Sequence, residues 1–125
     1  MSTGNVEQER AKRAAEGLRL YIVISDARAA PGDRSAFRKE HIQFLQDLEA
    51  QGRLFASGPV VDDATGESLG RAISIVRGRS IAEVDALMRN EPFFRNGFRT
   101  FTVQAWRFAD GDALKAERAR KDRTS

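Results

Sequence analysis

LRLYIVIS, Leu18 to Ser25, is the most regular apolar run in the chain. Leu18, Leu20, Ile22 and Ile24 alternate along one face, with Tyr21 and Val23 opposite, so a strand here is apolar on both sides. Such a strand belongs inside a sheet with material packed on each face. The residues that follow provide it. Pro31 and Gly32 break the chain, and Asp33 or Ser35 caps a helix whose apolar positions are Phe37, His41, Phe44, Leu45 and Leu48. Gly52 ends that helix. LFASGPVV, Leu54 to Val61, reads as a second strand interrupted by Gly58 and Pro59, because proline cannot donate to a ladder and is tolerated only at an edge or bulge. The turn formers between Asp62 and Gly66 lead into RAISIV, Arg71 to Val76, so these two strands form a hairpin. Ser80 and Glu83 have the spacing of a capping box, opening a second helix that buries Ile81, Val84, Leu87 and Met88 and stops before Pro92. FRTFTVQAWRF, Phe98 to Phe108, is the last strand.

Strand, helix, strand, strand, helix, strand is the ferredoxin-like βαββαβ order, an α+β sandwich with both helices on one face of a four-stranded antiparallel sheet. The other sheet face then lacks a cover. A second copy of the chain is the simplest cover, so a homodimer is expected. The domain spans residues 18–108. A charged extension at 1–17 and a charged tail at 109–125 have little to bury, and both are expected outside the core.

Composition narrows the function. With 125 residues and 41% hydrophobic content the chain suits one domain. The net charge of +3 is evenly spread: residues 20–108 carry 12 Lys and Arg against 11 Asp and Glu. A nucleic-acid surface would need clustered cations, so none is expected. No apolar run reaches the roughly 20 residues that cross a bilayer, and the N-terminus lacks the apolar middle of a secretory signal. No membrane association is expected, and the compartment is read as cytoplasmic.

There is no cysteine and one histidine, His41. Thiol nucleophiles and thiolate metal sites are therefore excluded. A common metal site would need further histidines, so no metal is expected, and without a GxGxxG or P-loop segment no nucleotide cofactor is either. His41 falls at the inner edge of an apolar helical stripe, where it is either a core-edge residue bonded to backbone or the group that moves protons. Ser57 precedes Gly58 and Pro59, where a bent backbone leaves a hydroxyl open to a ligand. Arg38, one turn before His41, is either a solvated helix residue or an anion contact. Phe93 and Phe94 are core or pocket wall. Trp106 reads as packing or dimer interface.

Arg38-Lys39-Glu40-His41 with Phe44-Leu45 and Leu48, then Gly52-Arg53-Leu54, Ser57-Gly58-Pro59, Gly70, and Asn90-Glu91-Pro92-Phe93 with Gly97 form an ordered series. In this series the sequence resembles the YCII-related (YciI-like) family between about Leu20 and Phe108. The resemblance implies a dimeric α/β barrel, a pocket for a small molecule, and an acid/base pair of a histidine and an aspartate. One branch of the family removes chloride from a chlorinated hydroxyquinol. The family histidine corresponds to His41. The aspartate of its Asp-Pro-Phe motif corresponds to Glu91, whose extra methylene implies a looser pair. Two functions follow as expectations: a cofactor-independent enzyme for elimination or isomerisation of a small aromatic or lactone-like substrate, or a dimeric ligand-binding domain without turnover.

Overall fold

The computed structural model describes residues 18–29 and 32–122, the side chains of 121 and 122 excepted. The N-terminal extension and Pro31 lie outside the described residues. The four strands are β1 (Arg19–Ala27), β2 (Leu54–Val61), β3 (Ser68–Gly78) and β4 (Arg99–Trp106). They form one sheet in the order β2-β3-β1-β4, with every neighbouring pair antiparallel. The strand that is apolar on both faces is therefore interior. Helix α1 (Arg38–Ala50) follows a 3-10 turn (Arg34–Phe37), and α2 (Ile81–Met88) follows β3. The ferredoxin-like α+β fold expected from the strand and helix order is the one observed.

Register explains which residues form the core. Tyr21 lies opposite Val76, and Val23 opposite Ser74 and Val103, so these side chains share the helix-covered face. Tyr21, Val23 and Val76 are buried together with Leu48 from α1 and with Val84 and Met88 from α2. Gly78 allows the close approach of α2, since an added Cβ would collide with Cγ2 of Val84, which is fully buried. Gly52, at φ 72°, closes α1 in the left-handed region.

Several boundaries differ from the sequence reading. Asp33 caps the 3-10 turn through the Ser35 amide, so the first helix starts one element later than expected. Strand β2 is continuous rather than interrupted: Gly58 pairs with Ile73 and Pro59 with Ala72, and the register shifts only beyond Pro59 and between Leu54 and Ala56. Pro59 is accommodated because β2 is an edge strand with irregular pairing. The capping box is half formed. The Ser80 hydroxyl accepts the Glu83 amide at 3.0 Å, but the Glu83 carboxylate bonds Arg53 and the Arg79 amide instead of reaching back to Ser80. A four-residue helix, α3 (Pro92–Arg95), stands between α2 and β4.

The tail expected outside the core in part folds back. Helix α4 (Leu114–Asp122) brings Glu117 to Arg77, whose Nε and Nη2 donate to the two carboxylate oxygens at 3.0 and 2.6 Å. Both side chains are buried, and Arg77 Nη1 also donates to the Gly52 carbonyl. Arg77 lies opposite Leu20 on the face away from α1 and α2, beside Phe55 and the Phe55, Phe108 and Trp106 ring cluster. An ion pair thus docks a helix that has almost no apolar side to bury. Further along this sheet face Ile22, Ile24 and Ile75 are half-buried and Ile73 is exposed. No helix among the described residues is long and apolar enough to cross a membrane.

Candidate active site

On the helix-covered face of the sheet, side-chain size changes along the strands. Tyr21, Val76 and Leu54 fill the space beneath the helices at one end, whereas Ser57 and Ser74, and beyond them Ala72 and Ser25, occupy β2, β3 and β1 toward the other. Small side chains cannot fill the gap below the N-terminal half of α1, and a cleft of about 910 Å³ remains. His41, Glu91, Ser57, Gly58, Pro59, Arg38 and Phe93 all line it. The sequence candidates scattered over more than fifty positions therefore share one cavity wall.

The cleft is organised by the His41 and Glu91 pair. His41 Nδ1 lies 2.5 Å from Glu91 Oε1, and Glu91 is 2% exposed. Glu91 Oε2 accepts the amides of Phe93 and Phe94 at 3.0 and 3.2 Å, so the residue is the N-cap of α3. Pro92 at the first helical position keeps Glu91 extended, at φ −65° and ψ 131°. The additional methylene does not loosen the pair, because two backbone donors fix one oxygen and thereby aim the other. A carboxylate only accepts hydrogen bonds, so it selects the tautomer with the proton on Nδ1. Nε2 then carries the lone pair, and it has no protein partner among the described residues.

The ring itself is held from the side. His41 stacks on Phe93 with centroids 4.2 Å apart and planes inclined by 13°, and the Phe93 ring meets Phe98 edge-on. The Arg34 guanidinium lies 5.5 Å from the Phe93 centroid. Phe93 is thus both pocket wall and support for the imidazole. Phe94 lines the cleft as well, while Trp106 packs against Phe108 on the other sheet face.

Ser57 is not isolated. Its hydroxyl lies 2.8 Å from that of Ser74, directly across the β2 and β3 pairing, so the cleft offers two adjoining hydroxyls. Gly58 contributes backbone only. Its φ is outside the left-handed region and an added Cβ would meet nothing within 4 Å, so packing does not require glycine there. Arg38 and Arg34 are exposed at the mouth.

Ser74, Ser25, Arg34 and Arg99 also line the cleft, and the sequence reading did not single them out. Arg99 lies opposite Ala27 on the inward register of β4, which Phe101 and Val103 also occupy. A cation in that register was the available signal. Burial pushes the Arg99 guanidinium below its ordinary pKa and the Arg34 charge adds to this, while Asp26 and Glu91 oppose it. Hydrogen bonds from Ser35 hold the Asp33 carboxyl below the usual range. Among the described residues no three of His, Cys, Asp and Glu come together as a metal site.

Fold and site together define a small α+β domain in which a buried carboxylate fixes one imidazole at the wall of a polar cleft. The chain belongs to the YCII-related family, whose domain matches residues 19–107. No curated relative matches the sequence. Among solved structures it is similar to the 5-chloro-2-hydroxyhydroquinone dehydrochlorinase TftG from Burkholderia phenoliruptrix, in complex with 2,5-dihydroxybenzoquinone. The TM-score is 0.59 at 24% identity, over 72% of this chain and 95% of that one. At that identity the likeness carries the fold.

Proposed function

We propose that the protein is a small-molecule acid/base enzyme that eliminates from, or isomerises, a small and already reactive substrate such as a hydroxylated aromatic ring or a lactone. The observation that carries this reading is the buried Glu91 carboxylate 2.5 Å from His41 Nδ1, with Nε2 in the cleft wall lacking a partner among the described residues. Nε2 accepts the substrate proton, and the Glu91 carboxylate stabilises the imidazolium that results. In an elimination the leaving group departs with its bonding electron pair as the proton is taken. In an isomerisation the imidazolium returns the proton at another carbon. Ser57 and Ser74 share one hydroxyl proton between them, which leaves the other to donate to negative charge developing on a substrate oxygen, and Phe93 offers a ring face beside the imidazole. The likeness to a dehydrochlorinase that binds a dihydroxyquinone supports an aromatic substrate.

The test is chloride release from chlorinated hydroxyquinols, together with spectral change on a panel of hydroxylated aromatics and enol lactones. We expect turnover of at least one class by the purified protein. If no member is turned over while several bind, the cleft is a binding site without chemistry.

The enzyme is proposed to act as a homodimer through the sheet face bearing Ile22, Ile24, Ile73 and Ile75, which no described element covers completely. Light scattering should return twice the 13.9 kDa chain mass, and Ile73→Lys should return it to a monomer. A monomeric wild type would exclude this arrangement.

A further inference from the structure

We infer that Arg99 is the anion receptor of the cleft, so that the substrate class is a small hydroxylated ring bearing a negatively charged oxygen group, a carboxylate or an ionised enol. This rests on the acid/base reading and narrows it. Arg99 Nε and Nη2 donate to the hydroxyl of buried Ser25 at 3.2 and 3.0 Å, and Nη2 also donates to the carbonyls of Ser25 and Gly70 at 3.2 and 3.0 Å. These bonds hold the guanidinium against the floor of the cleft. All the acceptors are neutral, and Nη1 has no protein partner among the described residues.

The lack of a bonded carboxylate sets this arginine apart. Arg53 and Arg77, two other guanidiniums withdrawn from solvent and bonded to backbone carbonyls, each meet a glutamate, at 2.7 and 2.6 Å. No ion pair forms to Arg99 among the described residues. The three acidic residues lining the cleft are committed or remote: Asp33 holds the Ser35 amide, Glu91 holds His41 and two backbone amides, and Glu49 is exposed on α1. Arg34 brings a second positive charge close enough to oppose that of Arg99, while Asp26, which is paired with Arg71, and Glu91 favour it without forming an ion pair to it. A partly desolvated cation without a carboxylate is costly to keep. An incoming anion relieves that cost through a charge-assisted hydrogen bond. Its geometry also suits the chemistry, since Arg99 would hold charge on one substrate oxygen while His41 on the same cleft moves the proton.

The experiment compares 2,5-dihydroxybenzoate with 2,5-dihydroxybenzamide, two rings of the same shape that differ in charge, by calorimetric titration at pH 7 and low salt. Wild type should bind the benzoate at least about tenfold more tightly than the amide, as expected for a hydrogen bond to a charged group. Arg99→Gln should bring the two affinities to within about twofold, mainly by weakening the benzoate. Arg99→Lys, which keeps the charge but loses the fork, should retain part of the preference, and it carries the test if the glutamine variant fails to fold. His41→Gln should leave the preference intact. Equal affinities in wild type, an undiminished preference in both Arg99 variants, or no binding of either ring would overturn the assignment. A preference that depends on Arg99 in a protein with no His41-dependent turnover would keep the anion receptor and remove the enzyme.

Discussion

Replacing His41 with glutamine should lower kcat by roughly 10²- to 10⁴-fold, the usual loss when a positioned general base is removed. Glutamine keeps a polar group that can donate to Glu91, so the buried carboxylate is not left without a partner and the fold should survive. The loss should therefore appear in kcat and much less in KM, because the rest of the cleft wall is unchanged. Glu91→Gln should fall between wild type and His41→Gln. The amide can still occupy the site, but it no longer dictates the imidazole tautomer or stabilises its positive charge. If His41→Gln retains more than about a tenth of wild-type kcat on a substrate the protein converts, the imidazole is not the base.

The second large effect concerns stability rather than chemistry. Glu117→Ala leaves the Arg77 guanidinium buried beside Phe55 with the Gly52 carbonyl as an acceptor but no counter-charge. Breaking a buried pair from one side costs about 3–5 kcal/mol, a large part of the roughly 5–15 kcal/mol typical of a whole domain. The denaturant midpoint should fall accordingly. Replacing both partners, with Arg77→Met and Glu117→Leu, should recover most of the loss, because the expense lies in the orphaned charge. An Glu117→Ala variant within about 1 kcal/mol of wild type would mean that α4 is not docked in solution as it is in the structure.

The legible parts of the fold were those governed by local pattern. Alternation in Leu18 to Ser25 placed β1 inside the sheet, and the spacing of Ser80 and Glu83 gave the start of α2. Pro59 correctly implied an edge or bulge, although the strand it sits in is not broken. The illegible parts depend on partners distant in sequence. Residues 109–122 carry too little apolar surface to predict docking; α4 packs through the buried Arg77, forty positions before Glu117, and through Arg120, which donates to the Gly52 carbonyl. Glu91 was legible as a site carboxylate only through the family resemblance. It serves as a cap and at the same time holds His41, and that double use follows from Pro92 and the two following amides rather than from spacing. Arg99 was missed because a single arginine in an alternating strand reads as solvent-facing until register with Ala27 turns it inward.

The proposed chemistry requires that Glu91 hold the proton of His41 on Nδ1 and leave Nε2 to act. Long-range ¹H–¹⁵N correlation spectra test it directly, and the only histidine needs no assignment. In the neutral imidazole of the wild type, the Nδ1 resonance should be that of a protonated nitrogen and the Nε2 resonance that of a lone-pair nitrogen. Glu91→Ala should abolish that bias. A wild-type ring with its proton on Nε2, or a spectrum unchanged by Glu91→Ala, would contradict the pairing on which the proposed chemistry depends.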